Sequence, residues 1–271
     1  MIEHIKAGKE KAKQSRCFIA GCARNIAKNI PFIRTYIEEL GSNFADYRVY
    51  VFENDSNDDT PQKLKEWSEA NWKVAADCFK SGNPRLSDLS MRRIEYMSDY
   101  RNAIMKHLEY YWSAYDYMIM VDLDICGFYV DGVINTLGWD GWDAVGSNGR
   151  KYSSMSRHTN IYYDIFGHKE LDEKVPREGN LQRVFAALQD KYRHLMPGDP
   201  LIPVSSCFNG VGVYRVKSIL GARYAALPGY AEHVAFHLEL IKRGGSVFIN
   251  PSQLTYYDQE MAKYWTRETN K

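Results

Sequence analysis

Two acidic residues, Asp122 and Asp124, directly follow the hydrophobic run of residues 117–121. Such a run is typical of a buried strand in an α/β sheet, and these sheets bind ligands beyond the carboxyl ends of their strands. Two carboxylates at that position favour a divalent cation, because hard cations prefer oxygen ligands. Asp-x-Asp is frequent by chance, so its sequence context has to decide whether it forms a site.

A second candidate is Arg101, in a helix predicted from about Met91 to Trp112. It shares the apolar stripe of that helix with Ile94 and Ile104. A guanidinium on a buried face requires an anionic partner. The partner is either an internal carboxylate or a phosphate or donor-sugar group of a ligand, and the helix alone does not distinguish them.

An acidic turn follows another predicted strand. The strand of residues 47–53 runs into the turn of residues 54–59, and Thr60 with Pro61 then begins a helix. Strand, acidic turn and helix form a ligand-site arrangement. The structural alternative for Asn54, Ser56 and Asp58 is that their side chains bond the turn backbone.

Two further landmarks lie in the last third of the chain. Asn209 offers a donor and an acceptor, and Gly210 lets the backbone approach a ligand closely, although both also suit a tight bend before an edge strand. Glu232 and His233 lie at a predicted helix start. His233 shares a helix face with His237, a spacing that permits metal binding but more often reflects ordinary core or surface residues.

The elements that must position these residues alternate between strands and helices, which favours an α/β layer architecture. The pattern predicts a strand at residues 16–22, a helix at 24–40, a helix near 130–137, and strands at 142–147 and 246–250. Residues 148–179 are polar and irregular, as in a binding loop or a lid over an acceptor.

Composition limits the class of protein. The chain has 271 residues, 45% hydrophobic and 25% charged, which suffices for a large core. Its net charge of +1 argues against a nucleic-acid-coating protein. Five scattered cysteines suit a reducing, cytoplasmic setting. No apolar stretch approaches the length of a membrane span, and residues 1–15 form a Lys-rich segment expected to be a solvated leader or a weak membrane-surface contact.

The order of the short motifs resembles that of GT-A glycosyltransferases. In chain order these motifs are Cys22-Ala23-Arg24-Asn25, Glu53-Asn54-Asp55-Ser56, Arg93-Ile94, Arg101-Asn102 and Asp122-Leu123-Asp124. Two later motifs, Ser206-Cys207-Phe208-Asn209-Gly210 and Glu232-His233, narrow the resemblance to the cryptococcal α-1,3-mannosyltransferase and capsule-associated glycosyltransferase family. The correspondence covers most of the chain, from about residue 16 to residue 251.

This resemblance implies one GT-A domain, residues 16–271, with a Rossmann-like, mixed and mostly parallel sheet flanked by helices. It implies a GDP- or UDP-sugar donor, with mannose among the candidate sugars, and a Mn²⁺ or Mg²⁺ ion. The acceptor would be a glycan hydroxyl, in polysaccharide or surface-glycan synthesis.

The resemblance also implies roles for individual residues. Asp124 would be a metal ligand, Asp122 would reach the metal or the donor sugar, and His233 is the candidate third ligand. Glu232 would take the acceptor proton in an inverting reaction or orient the acceptor in a retaining one. Donor contacts are expected from Ala23, Arg24, Glu53, Asp55, Arg93, Arg101, Asp122, Asn209 and Gly210. Arg93 has the alternative of being an ordinary surface cation.

Two other functions compete with glycosyl transfer. A sugar nucleotidyltransferase shares the sheet and the metal but would normally carry a Gly-rich basic loop after the first strand, where residues 21–29 hold a single glycine. A non-catalytic carbohydrate-binding module could use the 14% aromatic content but gives no reason for the acidic pair.

Overall fold

The structure, a computed structural model, describes residues 1–84, 90–152, 160–173, 177 and 179–263. The first part of the chain contains α1 (Ile2–Ala12), β1 (Arg16–Ala23), α2 (Ile30–Ser42), β2 (Asp46–Asn54), α3 (Thr60–Ala70), β3 (Val74–Phe79), α4 (Met91–Tyr111), β4 (Tyr117–Val121), β5 (Gly127–Phe128) and α5 (Val130–Leu137). The second part contains β6 (Ala144–Tyr152), β7 (Asn160–Tyr162), α6 (Leu181–Tyr192), β8 (Ile202–Pro203), β9 (Val211–Arg215), α7 (Val216–Ile219), α8 (Glu232–Lys242) and β10 (Val247–Tyr256).

One mixed sheet organises these elements, in the order β3-β2-β1-β4-β9-β6-β10-β5, with β7 paired to β6 and β8 to β10. Strands β3, β2, β1 and β4 are parallel neighbours, and β6 is parallel to β10. Strand β9 runs antiparallel between β4 and β6. The predicted α/β architecture is confirmed.

Both faces of the sheet are covered, which explains the continuous apolar runs of the central strands. Along β1, Cys17 and Ile19 face the layer that contains α2, α3 and α5. Phe18 and Ala20 face the opposite layer, which contains α4, α6 and α8. Because helices fill both faces, the space for a ligand is at the edge where the strands end.

The helix predicted over residues 24–40 begins later, at Ile30. Its first residues form a loop because side chains of the β2–α3 turn bind their backbone N–H groups. Ser56 Oγ accepts from Asn25, Thr60 Oγ1 from Ile26 and Asp58 Oδ2 from residue 27, at 2.8–3.1 Å. The turn residues therefore hold the neighbouring loop, a role that the helical periodicity of that loop concealed.

The Lys-rich first segment is not a solvated leader. Residues 2–12 form α1, which packs on α5 with Gly8 and Ala12 buried. A Cβ at Gly8 would lie 2.0 Å from the carbonyl oxygen of Ile134, so glycine permits the close approach of the two helices. In the part of the chain that the structure describes, no helix combines the length and apolar character needed to cross a membrane.

His237 of α8 predicts a pH dependence of stability. Its ring is buried between Ser206 Oγ, 2.8 Å from Nδ1, and Tyr214 Oη, 3.1 Å from Nε2. Burial lowers the pKa of His237 to about 3. Below the ordinary histidine pKa, His237 is therefore protonated in the unfolded chain but stays neutral in the folded chain. The free energy of unfolding consequently decreases as the pH is lowered. Between pH 7.5 and 5, His237 should account for a loss of about 2 kcal/mol in the free energy of unfolding.

Denaturant titrations at several pH values measure this loss. The slope should be shallower in His237→Gln, whereas His194→Gln, at an exposed position, should keep the wild-type slope. Equal slopes in His237→Gln and the wild-type protein would contradict the assignment.

Candidate functional site

A cavity of about 460 Å³ opens at the carboxyl ends of β1 and β4. This volume lies within the range of small-molecule sites. Eight residues predicted for the site line it, namely Ala23, Arg24, Arg93, Arg101, Asp122, Asp124, Glu232 and His233. Residues from β1, α4, β4 and α8, far apart in the chain, therefore meet in one cleft.

The turn after β4 presents the acidic pair to this cleft. The Asn29 side-chain amide donates to the carbonyl oxygens of Leu123, at 2.5 Å, and Ile125, at 2.9 Å. The Asp122 N–H donates to the Gly210 carbonyl at 2.8 Å, which ties the turn to the start of β9. Asp124 is exposed, and no described residue forms a hydrogen bond or ion pair with its carboxylate. The backbone of the turn is thus fixed by hydrogen bonds, while the Asp124 carboxylate is left available to a ligand.

Arg101 joins two acidic residues inside the cleft. Its Nε lies 2.6 Å from Glu232 Oε1 and its Nη2 lies 2.9 Å from Asp122 Oδ1. The side chain is only 4% exposed. Its Nη1 is buried without a hydrogen-bond partner among the described residues. The internal carboxylates predicted as one alternative are therefore present, and the Nη1 amino group remains for a ligand.

The cleft raises the pKa of the Asp122 carboxyl group clearly. Burial raises the pKa of Asp122 to about 7; Arg101 opposes this shift and the Asp124 carboxylate adds to it. Crowding two carboxylates near one site favours a cation between them, since each disfavours ionisation of the other. The pair is therefore suited to a positively charged ligand.

His233 lies in the wall of the cleft beside Glu232. Its ring stacks on Phe208 with a centroid distance of 3.6 Å, and its Nε2 is 3.5 Å from Glu232 Oε1. Burial lowers the pKa of His233 well below the ordinary histidine value, so the imidazole is neutral. Neither ring nitrogen has a hydrogen-bond partner within the described ranges. A neutral imidazole has one unprotonated ring nitrogen, which a metal ion could use.

The remaining four predicted residues do not line the cavity. Glu53 is fully buried, and its Oε1 accepts from the Ser56 N–H at 2.8 Å. Burial would raise the pKa of Asp55, but hydrogen bonds from Ser81, Gly82 and Asn54 lower it to about 2. The Glu53 carboxylate thus binds its own loop and the Asp55 carboxylate binds the loop after β3, and their contacts with a base or ribose stay predictions.

Asn209 and Gly210 support the cleft from behind. Asn209 is 1% exposed, and its amide donates to the Ser147 carbonyl at 2.9 Å. A Cβ at Gly210 would come within 2.9 Å of the Tyr257 hydroxyl. The chain thus forms the tight bend that was the structural alternative for Asn209 and Gly210. A contact of either residue with the donor stays a prediction.

The sequence interpretation missed one wall of the cleft. Tyr163, Asp164 and Phe166 line the cavity together with Phe208, which lies in the motif before Asn209. They belong to the irregular segment that was expected to form a loop or lid over an acceptor. Their local sequence lacks a periodic or metal-ligand spacing, so only the tertiary contacts with the residues just before β9 and α8 reveal them.

The donor set fits a Mn²⁺ or Mg²⁺ ion. Asp122 and Asp124 supply hard oxygen atoms at one side of the cleft, and unpartnered His233 lies in the same cavity. No group of three or more His, Cys, Asp or Glu side chains is assembled for a metal in the part of the chain described by the structure. Such a site suits an ion whose other ligands come from phosphate and water, as Mg²⁺ commonly has.

The comparisons with known proteins agree with this architecture. The model of the family described as "Cryptococcal mannosyltransferase 1" matches residues 16–241. No curated protein sequence gives a significant match. A mannosyltransferase, PcManGT of Pyrobaculum calidifontis, solved with GDP-Man and Mn²⁺, is similar with 14% identity and a TM-score of 0.50. The match covers 93% of this chain and 64% of that chain.

A second similar structure is residues 1–349 of TarS from S. aureus in complex with UDP-GlcNAc. It has 13% identity and a TM-score of 0.53, over 90% of this chain and 58% of that chain. The chain thus spans less than two thirds of either structure, and at these identities the likeness establishes the GT-A fold alone. The family match extends over most of the chain and includes the cleft residues from Ala23 to His233. The chain therefore belongs to the family of cryptococcal mannosyltransferase 1.

Proposed function

We propose that this protein is a metal-dependent glycosyltransferase that moves a sugar, with mannose the first candidate, from a nucleotide-diphosphate sugar to a glycan hydroxyl. The observation that carries the proposal is the pairing of acids and cations in one cavity: Asp122 and Asp124 lie in it together with Arg24, Arg93 and Arg101. Acidic side chains hold a divalent cation, and guanidinium groups bind phosphate oxygens. A metal-bound diphosphate matches both the acidic side chains and the arginines of the cavity.

Asp124, assisted by Asp122, would hold the Mn²⁺ or Mg²⁺ ion, with His233 as the proposed third ligand. When bound, the ion would neutralise the charge that develops on the leaving diphosphate. Arg101 supplies its unpaired Nη1 to the donor while Glu232 and Asp122 fix its guanidinium plane. Ala23 and Arg24 would line the nucleotide part of the cleft.

Glu232 is the proposed acceptor-side carboxylate. One of its oxygens is bonded to Arg101, and the residue lines the cavity at the first turn of α8. In an inverting reaction it would take the hydroxyl proton of the acceptor, which requires hydrogen-bond reach above all. In a retaining reaction it would orient that hydroxyl.

Calorimetric titration of nucleotides tests the proposal. GDP, UDP, GDP-mannose and UDP-GlcNAc would each be titrated into the wild-type protein with Mn²⁺ and after metal chelation. We expect at least one nucleotide to bind about tenfold or more tightly with Mn²⁺, because Asp124 and Asp122 would hold the ion and its charge would offset that of the diphosphate. Equal affinity in both conditions would rule out the metal bridge, and binding of free oligosaccharides without any nucleotide would favour a carbohydrate-binding module.

The reaction products distinguish a glycosyltransferase from a sugar nucleotidyltransferase. A glycosyltransferase releases a nucleoside diphosphate from the donor, whereas a sugar nucleotidyltransferase joins a sugar phosphate and a nucleoside triphosphate with release of pyrophosphate.

We also propose a reducing, cytoplasmic setting, supported by five cysteines that are all free. A weak contact of the Lys-rich helix α1 with an anionic membrane surface is part of the same proposal.

A further inference from the structure

We propose that Asp164 binds hydroxyl groups of the transferred sugar and makes the cleft select an uncharged hexosyl group. This inference rests on the proposed function and assigns a role to a residue that the sequence motifs did not include. Three observations support it: the position of Asp164 is fixed, its carboxylate lacks a cationic partner, and its surroundings suit a neutral sugar.

Asp164 is held from two sides. Its N–H donates to Asn209 Oδ1 at 2.8 Å, and its own Oδ1 accepts from the Phe166 N–H at 2.8 Å. The segment continues to α8, since the Ala231 N–H donates to the Phe166 carbonyl at 2.9 Å. Arg177 adds hydrogen bonds to the carbonyl oxygens of Ile165 and His168. A side chain fixed in this way can orient a ligand without losing much conformational entropy.

The folded chain stabilises the carboxylate of Asp164 through the backbone N–H groups of Phe166 and Gly167 and, at longer range, through the charge of Arg177. The side chain lines the cavity, yet no described cation forms an ion pair with it. Burial raises the pKa of its carboxyl group, and the nearby Glu232 carboxylate adds to this shift. Acidic side chains removed from water are normally paired or bonded to a ligand. A carboxylate offers about four lone-pair sites, so that of Asp164 keeps bonding capacity that a ligand hydroxyl would use.

The surroundings of Asp164 favour a sugar over a phosphate. The wall around Asp164 contains Tyr163, Phe166 and Phe208, and the guanidinium of Arg101 lies over the Phe208 ring at the side of this wall, 5.1 Å from the ring centroid. A phosphate beside Asp164 would be repelled, so the diphosphate belongs with the arginines and the acidic pair. A hexose offers hydroxyl donors to the carboxylate and apolar C–H faces to the rings. A uronic acid would bring a second carboxylate and be disfavoured.

The test compares the affinity for a sugar nucleotide with that for its nucleoside diphosphate, both with Mn²⁺. The pairs are GDP-mannose with GDP and UDP-GlcNAc with UDP. In Asp164→Asn the affinity for the sugar nucleotide should fall by about 10- to 100-fold, while that for the diphosphate changes less than about twofold. The asparagine oxygen can still accept the Phe166 N–H, so the loop is expected to persist. Asp172→Asn, at an exposed position in the same connecting segment, should leave both affinities unchanged.

A second variant covers the case in which Asp164→Asn does not fold, and a second ligand tests the selection of a neutral sugar. Asp164→Ser retains a hydroxyl acceptor for the loop and should show the same selective loss if the asparagine variant unfolds. The uronic acid counterpart of the bound donor should bind the wild-type protein less tightly than the neutral donor, and Asp164→Asn should reduce that ratio. Unchanged sugar-nucleotide affinity, or a loss confined to acceptor transfer, would overturn the proposal for Asp164. Failure of the wild-type protein to bind any nucleotide with Mn²⁺ would instead refute the proposed function, and this inference with it.

Discussion

Asp124→Asn should lower sugar transfer by about a thousand-fold, equivalent to roughly 4 kcal/mol of transition-state stabilisation. The substitution removes the charge that we assign to metal binding but keeps the size of the side chain. Asp124 is exposed and has no hydrogen bond or ion pair to a described residue, so the substitution breaks neither kind of interaction within the described part of the fold. The melting temperature should therefore shift by less than about 2 °C.

Initial transfer rates with saturating Mn²⁺, together with the metal dependence of nucleotide binding, measure this effect. Asp99→Asn is a matched control, since Asp99 is exposed on α4 beside cavity-lining residues but does not line the cavity. It should retain wild-type rates. A fully active Asp124→Asn variant that still needs Mn²⁺ would show that other residues hold the ion.

Glu232→Gln should lower transfer by about 10²- to 10⁴-fold while donor affinity changes only a few-fold, the range expected for loss of a general base. The glutamine oxygen can still accept from Arg101 Nε, which is 2.6 Å from Glu232 Oε1, so the guanidinium should keep its place. A complete truncation to alanine would be less informative, because breaking a buried ion pair itself costs about 3–5 kcal/mol.

Transfer rates and donor titrations on the same preparation separate the two effects. Glu239→Gln is the control on the same helix, where Glu239 forms a partly exposed pair with Arg243. It should behave as wild type in both measurements. Wild-type transfer by Glu232→Gln would remove Glu232 from the catalytic residues, and a large loss of donor affinity would indicate that it acts through Arg101.

Local patterns were sufficient to predict the parts of the site that depend on one element. The apolar run before Asp122 predicts a buried strand with both acidic residues at its end, and β4 ends at Val121 as expected. Arg101 was predicted on the apolar face of its helix, and it is 3% exposed in α4. Each of these inferences needs only the periodicity of a strand or a helix.

Partners that depend on packing between distant elements were not predictable in the same way. Glu53 and Asp55 carry the residue types of ligand contacts, yet the Glu53 carboxylate closes its own loop and the Asp55 carboxylate binds the loop after β3. Asp164 stands in a segment without a recognisable pattern, and Asn209 fixes it from 45 residues away. A single sequence contains the residues of such pairs but no signal that links them.

The bridge formed by Arg101 has a consequence for synthesis of the protein. Arg101 and Asp122 are 21 residues apart, whereas Glu232 follows Arg101 by 131 residues. Translation therefore produces the guanidinium and one counter-charge long before the other. During that interval the nascent chain cannot close the cleft, since α8 has not left the ribosome. The cleft thus reaches the geometry that binds the donor only late in synthesis, when the newly made helix α8 docks against α4.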